Sequence, residues 1–304
     1  MENFSNSKID LALAFDLGYP SSIIPVLKRH KVSVISYWGA SISPINSGIK
    51  LLLKKLEWSF RQAKPDYFIF ESTAMQLAAT HGRGIPNNKT CVIPLGVDTE
   101  RFYPDHENYF YAHEQLNIPR NKKIIFYSGH MEERKGVHVI MQAAIQMFNQ
   151  NAELPIHFVI CGNKQGEEKR FVEMLANTKA EKHVTFAGYR TDIDKLMRSS
   201  SIGVIASTGW DSFTMSSVEM MSSGLPLIVS NLQGLAETIA NNVNGFHISP
   251  GDSNTLANRL IELLNDDSLR LKFSQNSRDR AINNFSRQAQ VDAFTHIIKK
   301  HLKS

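Results

Sequence analysis

The fold is decided by residues 201–237, SIGVIASTGWDSFTMSSVEMMSSGLPLIVSNLQGLAE. Two segments of this stretch, 202–206 and 225–229, are short, apolar and rich in β-branched residues, which predicts two buried strands. The segment between them has the spacing of a helix. Ligands bind outside the carboxyl ends of the strands in an open parallel sheet, so we expect Asp211 and Glu219 to lie beside a binding crevice.

The predicted helix, residues 213–223, directs its amino end toward that crevice. Ser212 or Thr214 can cap it. Amide groups at such an end attract phosphate, and the carboxylate of Glu219 can accept hydrogen bonds from the neighbouring hydroxyls of a ribose. The alternative is that the two carboxylates belong to an ordinary loop and a solvated helix face, and the spacing alone leaves both interpretations open.

The segment from Asp211 through seven residues to Glu219, followed by MMSSGLPLIVSNLQGLAETI, resembles the E-x7-E segment of the retaining nucleotide-sugar glycosyltransferases of family 4. Aspartate replaces the first glutamate. The resemblance extends from about Lys31 onward through four further motifs, VIPLGVDTERFYP at 92–104, SGHMEERKGVHVIMQAA at 128–144, HFVICG at 157–162 and VTFAGYRTDIDKLMRSSSIGVIAS at 184–207. It implies an α/β protein of the GT-B fold, with two Rossmann-like doubly wound parallel-sheet domains facing a cleft, the N-terminal one incomplete.

The resemblance also implies an activity. The expected enzyme is a retaining hexosyl-type glycosyltransferase of class EC 2.4, which moves a sugar from a nucleoside diphosphate sugar to a saccharide or lipid-linked acceptor in polysaccharide or cell-envelope biosynthesis. It implies no metal and no cofactor, with the nucleotide sugar as co-substrate. The alternative is a non-catalytic or partner-dependent donor-binding subunit of a split enzyme, whose missing N-terminal half comes from a partner chain. Trp38 favours this alternative, since it stands where the family often has a histidine.

Site residues follow from the same resemblance. The family pattern of glycine-arginine, four residues and lysine-glycine is matched by Gly129 to Gly136, so Lys135 carries over as a clamp on the donor diphosphate, and His130 stands in place of the arginine. The implied catalytic residues are Lys135, Asp211 and Glu219. The implied donor-binding residues are Gly129, His130, Lys135, Tyr189, Arg190, Asp211, Phe213, Thr214, Met215, Ser216 and Glu219.

Short apolar runs alternate with helical segments along the chain, which predicts parallel strands with crossover helices. The predicted strands are 9–15, 32–37, 66–71 and 90–95, then 123–128, 156–161, 183–187, 201–206, 226–230 and 245–248. The predicted domains are a shortened acceptor-side domain at 1–104, a nucleotide-sugar binding domain at 105–285, and a C-terminal helix at 286–304 that by resemblance crosses back to the first domain.

Composition narrows the class of protein. No apolar run approaches the length of a membrane span, and the first thirty residues lack the pattern of a secretory signal. Cys91 and Cys161 both fall in predicted strands, which argues against a disulfide framework and favours a reducing cytoplasm. The net charge of +5 permits a nucleic acid, an anionic lipid or a phosphorylated substrate as partner, but no aromatic and basic groove supports a nucleic acid.

Residues 46–64 form an amphipathic pattern. We predict a core face made of Ile49, Leu52, Leu53, Leu56, Phe60 and Ala63, with Lys50, Lys54, Arg61 and Lys64 beside it. Leu51 and Trp58 remain outside that face. A core helix with a solvated basic side is the favoured interpretation, and a peripheral contact with anionic lipid on the inner face of the membrane is the other.

A D-x-D motif, Asp192 to Asp194, occurs after the predicted strand 183–187. This motif binds metal in glycosyltransferases of another fold. Because the motif opens a predicted helix, we interpret Asp192 as its cap and predict no metal site.

Overall fold

The computed structural model describes residues 9–18, 21–39, 45–105, 109–162 and 165–302. They form two compact units. One contains the residues up to Leu95 and from Gln288 onward, and the other is Gly96–Arg287. Among the described residues, no helix combines the length and the apolar character needed to cross a membrane.

Residues 96–104, which the sequence assigns to the first domain, lie in the second unit. The amide of Val97 donates to the carbonyl of Phe285 (2.7 Å), and the guanidinium of Arg278 donates to the carbonyl of Phe102 (2.8 Å). These hydrogen bonds tie the segment to the last long helix of that unit.

The first unit is a parallel four-stranded sheet with strand order β1-β2-β3-β4. Its elements are β1 (Leu11–Phe15), α1 (Ile23–Arg29), β2 (Ser33–Trp38), α2 (Gly48–Phe60), β3 (Tyr67–Phe70), α3 (Thr73–Arg83) and β4 (Thr90–Val92). Three of the strands lie within the predicted apolar runs, and β2 ends at Trp38, one residue beyond the predicted run 32–37. Because each strand pairs in parallel with the next one in the chain, the connecting helices act as crossovers, as the alternation predicts.

Apolar clusters cover both faces of this sheet. One contains Ile24, Trp58, Phe68, Phe70, Met75, Ala79 and Ile85. The other contains Ile35, Tyr37, Tyr67, Ile69 and Ile93, against which Ala293, Phe294 and Ile297 pack. These last three residues belong to the final helix of the chain, at Arg287–Leu302.

The predicted core face of residues 46–64 is wrong. The large side chains of that face are 48–82% exposed, whereas Trp58, placed outside it, is 5% exposed and packs against Phe68 (ring centroids 5.7 Å). Ala63 lies beyond the end of α2 and is half-buried. A helical pattern gives the period of an apolar stripe but not the direction in which the stripe points, and here the indole fills the space beside the sheet.

The second unit is a parallel six-stranded sheet with strand order β10-β9-β8-β5-β6-β7. In chain order its elements are α4 (Tyr111–Gln115), β5 (Lys123–Ser128), α5 (Val137–Gln150), β6 (Ile156–Cys161), α6 (Lys169–Leu175), β7 (Val184–Gly188), α7 (Ile193–Arg198), β8 (Ile202–Ile205), α8 (Met215–Ser222), β9 (Leu227–Ser230), α9 (Gln233–Thr238), β10 (Gly245–Ile248), α10 (Ser253–Asn265) and α11 (Asp267–Phe285). The final helix at Arg287–Leu302 is therefore α12. From β5 the chain winds outward to β7 and then returns to β8 on the other side of β5, so the topological switch point lies between β5 and β8.

Buried His157 on β6 makes the stability of the second unit dependent on pH. Its Nε2 lies 2.8 Å from the Thr185 hydroxyl, and burial, together with the charges of Lys122 and two neighbouring histidines, lowers its pKa to about 4. The unfolded chain binds a proton near pH 6.5, so it binds more protons than the folded chain as the pH falls from 6.5 toward 4. The stability that depends on the neutral side chain of His157 is therefore fully present above pH 6.5 and decreases as the pH falls below that value.

We expect His157→Gln to reduce this acid sensitivity. Denaturant unfolding of both proteins should be measured at about pH 7 and at about pH 4.5. Between these pH values the parent should lose stability, and His157 should account for on the order of 2 to 3 kcal/mol of the loss. The variant should lose less by that amount. His296→Gln, at an exposed histidine of α12, is the control and should keep the parent's loss. Equal losses for His157→Gln and the parent would contradict the assignment.

Candidate active site

The loops that follow β5 and β8 meet at the switch point of the second unit. The β5 loop contains Gly129, His130 and Lys135, and the β8 loop leads through Asp211 to α8. The carbonyl of Arg134 accepts hydrogen bonds from the amides of Thr208 (2.8 Å) and Gly209 (3.2 Å). The two loops are therefore joined at the edge of the sheet where parallel-sheet proteins bind ligands.

An ion pair joins two of the predicted catalytic residues. The Lys135 ammonium lies 2.8 Å from Asp211 Oδ1, and both side chains are largely buried. Asp211 Oδ2 accepts a hydrogen bond from the hydroxyl of Ser207 (2.7 Å), and the Asp211 amide donates to the side chain of Gln233 (3.1 Å). Asp211 thus has both oxygens engaged and holds the side chain of Lys135 in the loop that follows β5.

A close backbone contact fixes the position of this lysine. Gly136, the next residue, has a left-handed φ of 69°, and a Cβ added there would lie 1.7 Å from the Ala206 carbonyl oxygen. Only glycine allows the β5 loop to approach β8 so closely. The motif lysine-glycine therefore serves one geometric purpose, which is to bring Lys135 onto the carboxyl end of β8.

Helix α8 begins without the predicted side-chain cap. Thr214 is its N-cap residue, but the Thr214 hydroxyl donates to the carbonyl of Ser212 (3.2 Å), and no side chain within the described ranges caps the helix. The expected cap by Ser212 or Thr214 is wrong because the two residues bond to each other. The missing cap leaves the amino end, at Met215 and Ser216, available to an anion.

Glu219 lies in the second turn of α8, as predicted, and is half-buried. Burial raises the pKa of its carboxyl group, and the charge of Arg101 partly opposes the rise. A carboxylate with little solvent around it is a strong acceptor for hydroxyl groups of a ligand.

Three predicted donor-binding residues have side chains that do not lie at the switch point. Phe213 is buried and packs against Phe285 (ring centroids 5.2 Å). Tyr189 is largely exposed, and Arg190 forms an ion pair with Asp192; both follow β7, the edge strand, which is separated from β5 by β6. Any contact of these residues with a donor would use the backbone or require rearrangement.

The expected cap by Asp192 is wrong. Asp192 precedes α7 without capping it, and its carboxylate accepts hydrogen bonds from Arg190 (2.6 Å) and from the hydroxyl of Tyr111 (2.8 Å). Asp194 forms an ion pair with Arg198 (3.0 Å). Both carboxylates of the D-x-D motif are therefore engaged by neighbouring side chains, and the described part of the chain contains no group of three or more metal-ligating side chains suited to a metal ion.

Sequence reasoning missed Ser207 and Gln233, the two residues that position Asp211. Ser207 could have been found, because it follows strand β8 within two residues at the carboxyl end. Nothing in the sequence marked Gln233, because its backbone has an unusual positive φ of 39° at the start of α9, and such an angle is not visible in the sequence.

A third missed residue lies at the carboxyl end of the first sheet. Glu71 directly follows β3, is 7% exposed, and accepts a hydrogen bond from the hydroxyl of Tyr37 on β2 (3.1 Å). Burial raises the pKa of Glu71 to about 7, although the hydrogen bond from Tyr37 opposes the rise. A buried carboxyl group that titrates near neutral pH at a strand end is a candidate acid or base.

Comparisons with known proteins agree with the fold and with the family resemblance. The sequence profile described as glycosyl transferases group 1 matches residues 110–280, more than half of the chain. The UDP-Gal:alpha-D-GlcNAc-diphosphoundecaprenol alpha-1,3-galactosyltransferase of Escherichia coli is 28% identical over 204 residues, which cover 67% of this chain and 52% of the relative. The chain spans about half the length of the curated relatives that it matches.

Two solved structures share the fold. A glycosyltransferase from Rickettsia africae has a TM-score of 0.85 at 23% identity, covering 97% of this chain and 77% of its own. Anabaena HepE in complex with UDP has a TM-score of 0.81 at 20% identity, covering 96% and 79% respectively. Together with the two parallel sheets, these similarities confirm the predicted GT-B-like fold class.

Proposed function

We propose that this chain, which belongs to the glycosyl transferases group 1 family, transfers a sugar from a nucleoside diphosphate sugar to a saccharide or lipid-linked acceptor. The name of the Escherichia coli relative gives UDP-Gal as donor and a diphosphoundecaprenol-linked sugar as acceptor, and the HepE structure contains UDP. A UDP-sugar and a lipid-diphosphate-linked acceptor are therefore the first substrates to test. The observation that carries the proposal is the Lys135–Asp211 pair beside the uncapped start of α8.

The chemistry follows from the charges at this edge. Departure of the nucleoside diphosphate develops negative charge on phosphate oxygens. Lys135 and the first amides of α8, at Met215 and Ser216, are positive groups already fixed in place to stabilise that charge. The backbone of Gly129 and His130 belongs to the same loop and completes the proposed diphosphate site. No step of this proposal passes through a metal, and we assign retention of the anomeric configuration by the family resemblance.

Asp211 and Glu219 have different roles in the proposal. Asp211 is a positioning residue, because its contacts to Lys135 and Ser207 orient the ammonium that meets the diphosphate. Glu219 binds the nucleotide directly, by accepting hydrogen bonds from ribose hydroxyls. The direct contact of Asp211 with the sugar that the resemblance implies stays a prediction.

We place the enzyme in the cytoplasm, where reduced cysteines fit the unpaired state of Cys91 and Cys161.

The test of the proposed function is a donor screen with the purified chain. Release of UDP from UDP-sugars, and transfer to a polyprenyl-diphosphate sugar, should both occur. Donor binding without transfer by the chain alone would favour the alternative of a partner-dependent subunit, and no binding of any nucleotide sugar would contradict the proposal.

Glu219→Gln tests the ribose contact. The substitution should weaken UDP binding about tenfold to a hundredfold, which corresponds to the loss of a charged hydrogen bond of about 1.5–3 kcal/mol. Calorimetry should be repeated with a UDP analogue whose ribose lacks both hydroxyls. The parent should lose affinity for this analogue, and the variant should bind it and UDP almost equally. A variant that still prefers UDP as strongly as the parent does would place the ribose away from Glu219.

A further inference from the structure

Helix α2 carries a stripe of exposed apolar side chains on the first unit. The stripe consists of Ile49, Leu52, Leu53, Leu56 and Phe60, each between 48% and 82% exposed. These positions share one arc of the helix, opposite Trp58, and the stripe runs the length of the helix for about 16 Å. Isolated exposed apolar residues are ordinary, but a contiguous row of five marks an interaction surface.

The outward direction of the stripe is fixed by the fold. Trp58 is buried in the cluster beneath the helix. At the end of α3, Gly84 has a left-handed φ of 71°, and a Cβ added there would lie 2.6 Å from the backbone of Lys54. Asn46, just before α2, donates a side-chain hydrogen bond to the carbonyl of Gly82 (3.0 Å). Turning the stripe inward would break all three contacts.

The charge around the stripe is positive. Five of the six charged residues from 50 to 64 are basic, the exception being Glu57, which binds Lys54 (2.8 Å) and Arg61. Lys50 and Lys55 are exposed and lie on the two sides of the stripe. An apolar row bordered by lysines is complementary to a surface with an apolar interior and anionic head groups.

A groove next to the stripe adds polar groups of the same kind. A cavity of about 350 Å³ opens between α2 and the end of α3. Lys55, Ser59, Thr80, His81 and Asn87 contribute its polar side chains. The ammonium of Lys55 and the side-chain amide of Asn87 are donors that suit a phosphate group, and the groove borders the stripe through Lys55 and Ser59.

We infer that this face of the first unit docks on a bilayer that contains anionic phospholipid. The stripe enters the boundary between head groups and acyl chains, Lys50 and Lys55 lie among the head groups, and the groove receives a lipid phosphate. The inference rests on the proposed function and deepens it, because an acceptor carried by a lipid is reached from the bilayer surface. A protein surface is the competing occupant, but the surplus of lysines around the stripe favours anionic lipid.

Co-sedimentation of the full chain with vesicles tests the inference. The chain should bind vesicles of phosphatidylcholine mixed with phosphatidylglycerol at low salt, and bind phosphatidylcholine alone at least tenfold more weakly. The triple variant L52S/L56S/F60S should lose at least tenfold in partitioning without unfolding, since its side chains are exposed. The double variant K50A/K55A should lose about 25-fold, at about fivefold for each charge removed.

Matched controls separate this surface from other exposed apolar residues. Val172→Ser on α6 and Leu271→Ser on α11 remove comparably exposed side chains from the second unit and should leave vesicle binding unchanged. UDP affinity should be the same in the parent and the triple variant, so that docking and donor binding are read separately. Vesicle binding by a chain that binds no nucleotide sugar would support docking while contradicting the proposed function.

Three results would overturn the inference. They are equal binding of the parent to neutral and anionic vesicles, undiminished binding by the triple variant, and no binding of the parent to any vesicle. If the parent does not bind vesicles but forms a dimer that the triple variant does not form, the stripe is the contact surface between two copies of the chain. Gel filtration of both proteins makes that distinction.

Discussion

Lys135→Met is expected to lower the affinity for UDP at least a hundredfold, because it removes a charged partner of the diphosphate and leaves the Asp211 carboxylate to repel it. The same change should cost about 3–5 kcal/mol of unfolding free energy, since it breaks one side of a largely buried ion pair. Calorimetry measures the first effect and denaturant unfolding the second.

A double variant separates these two effects. Lys135→Met combined with Asp211→Asn removes both charges, so most of the stability should return while the affinity for UDP stays low. Lys123→Met is the control, because Lys123 forms an ion pair with Asp267 (2.8 Å) at the amino end of β5, away from the β5 loop, and its loss should leave UDP affinity unchanged. If the double variant bound UDP as tightly as the parent, Lys135 would have no place at the diphosphate.

Gly136→Ala is expected to lower the free energy of unfolding by at least about 4 kcal/mol, or to prevent folding. The added methyl group would overlap the Ala206 carbonyl oxygen at 1.7 Å, and the backbone cannot move away without separating the β5 loop from β8. Denaturant unfolding of the full chain measures the loss.

The matched control is Gly251→Ala. Gly251 also has a left-handed φ, 83°, but a Cβ there would meet no heavy atom within 4 Å, so the loss should be only about 1–2 kcal/mol. Similar losses for the two variants would show that the two loops can separate. In that case the close contact would not be what positions Lys135.

The sequence was sufficient for the fold class and for the succession of strands and helices along the chain. Strand-length apolar runs alternating with helical segments predict parallel sheets because each strand is buried on both faces and must be joined by a crossover. The motif spacing also placed Lys135 after one strand and Asp211 after another. It did not show that the two side chains form an ion pair, because strand order decides which loops are neighbours and β8 returns beside β5 only after the chain has wound out to β7.

The errors have local physical causes. The α2 prediction failed because an amphipathic pattern has two directions, and only the packing of Trp58 and the contact at Gly84 decide between them. The capping predictions failed because Thr214 and Asp192 found other partners, Ser212 and Arg190, which lie two residues away in each case. Glu71 was missed because a single acidic residue after a strand gives no pattern, and its unusual titration depends on burial that only the folded unit shows.

The central claim is that the carboxyl edge between β5 and β8 binds the diphosphate of the donor. A crystal structure of the full chain with UDP tests it most directly. The proposal predicts phosphate oxygens within hydrogen-bond distance of the Lys135 ammonium and of the amides at the start of α8, with the ribose hydroxyls on Glu219. UDP bound at another edge of the second unit, or with its phosphates away from Lys135, would contradict it.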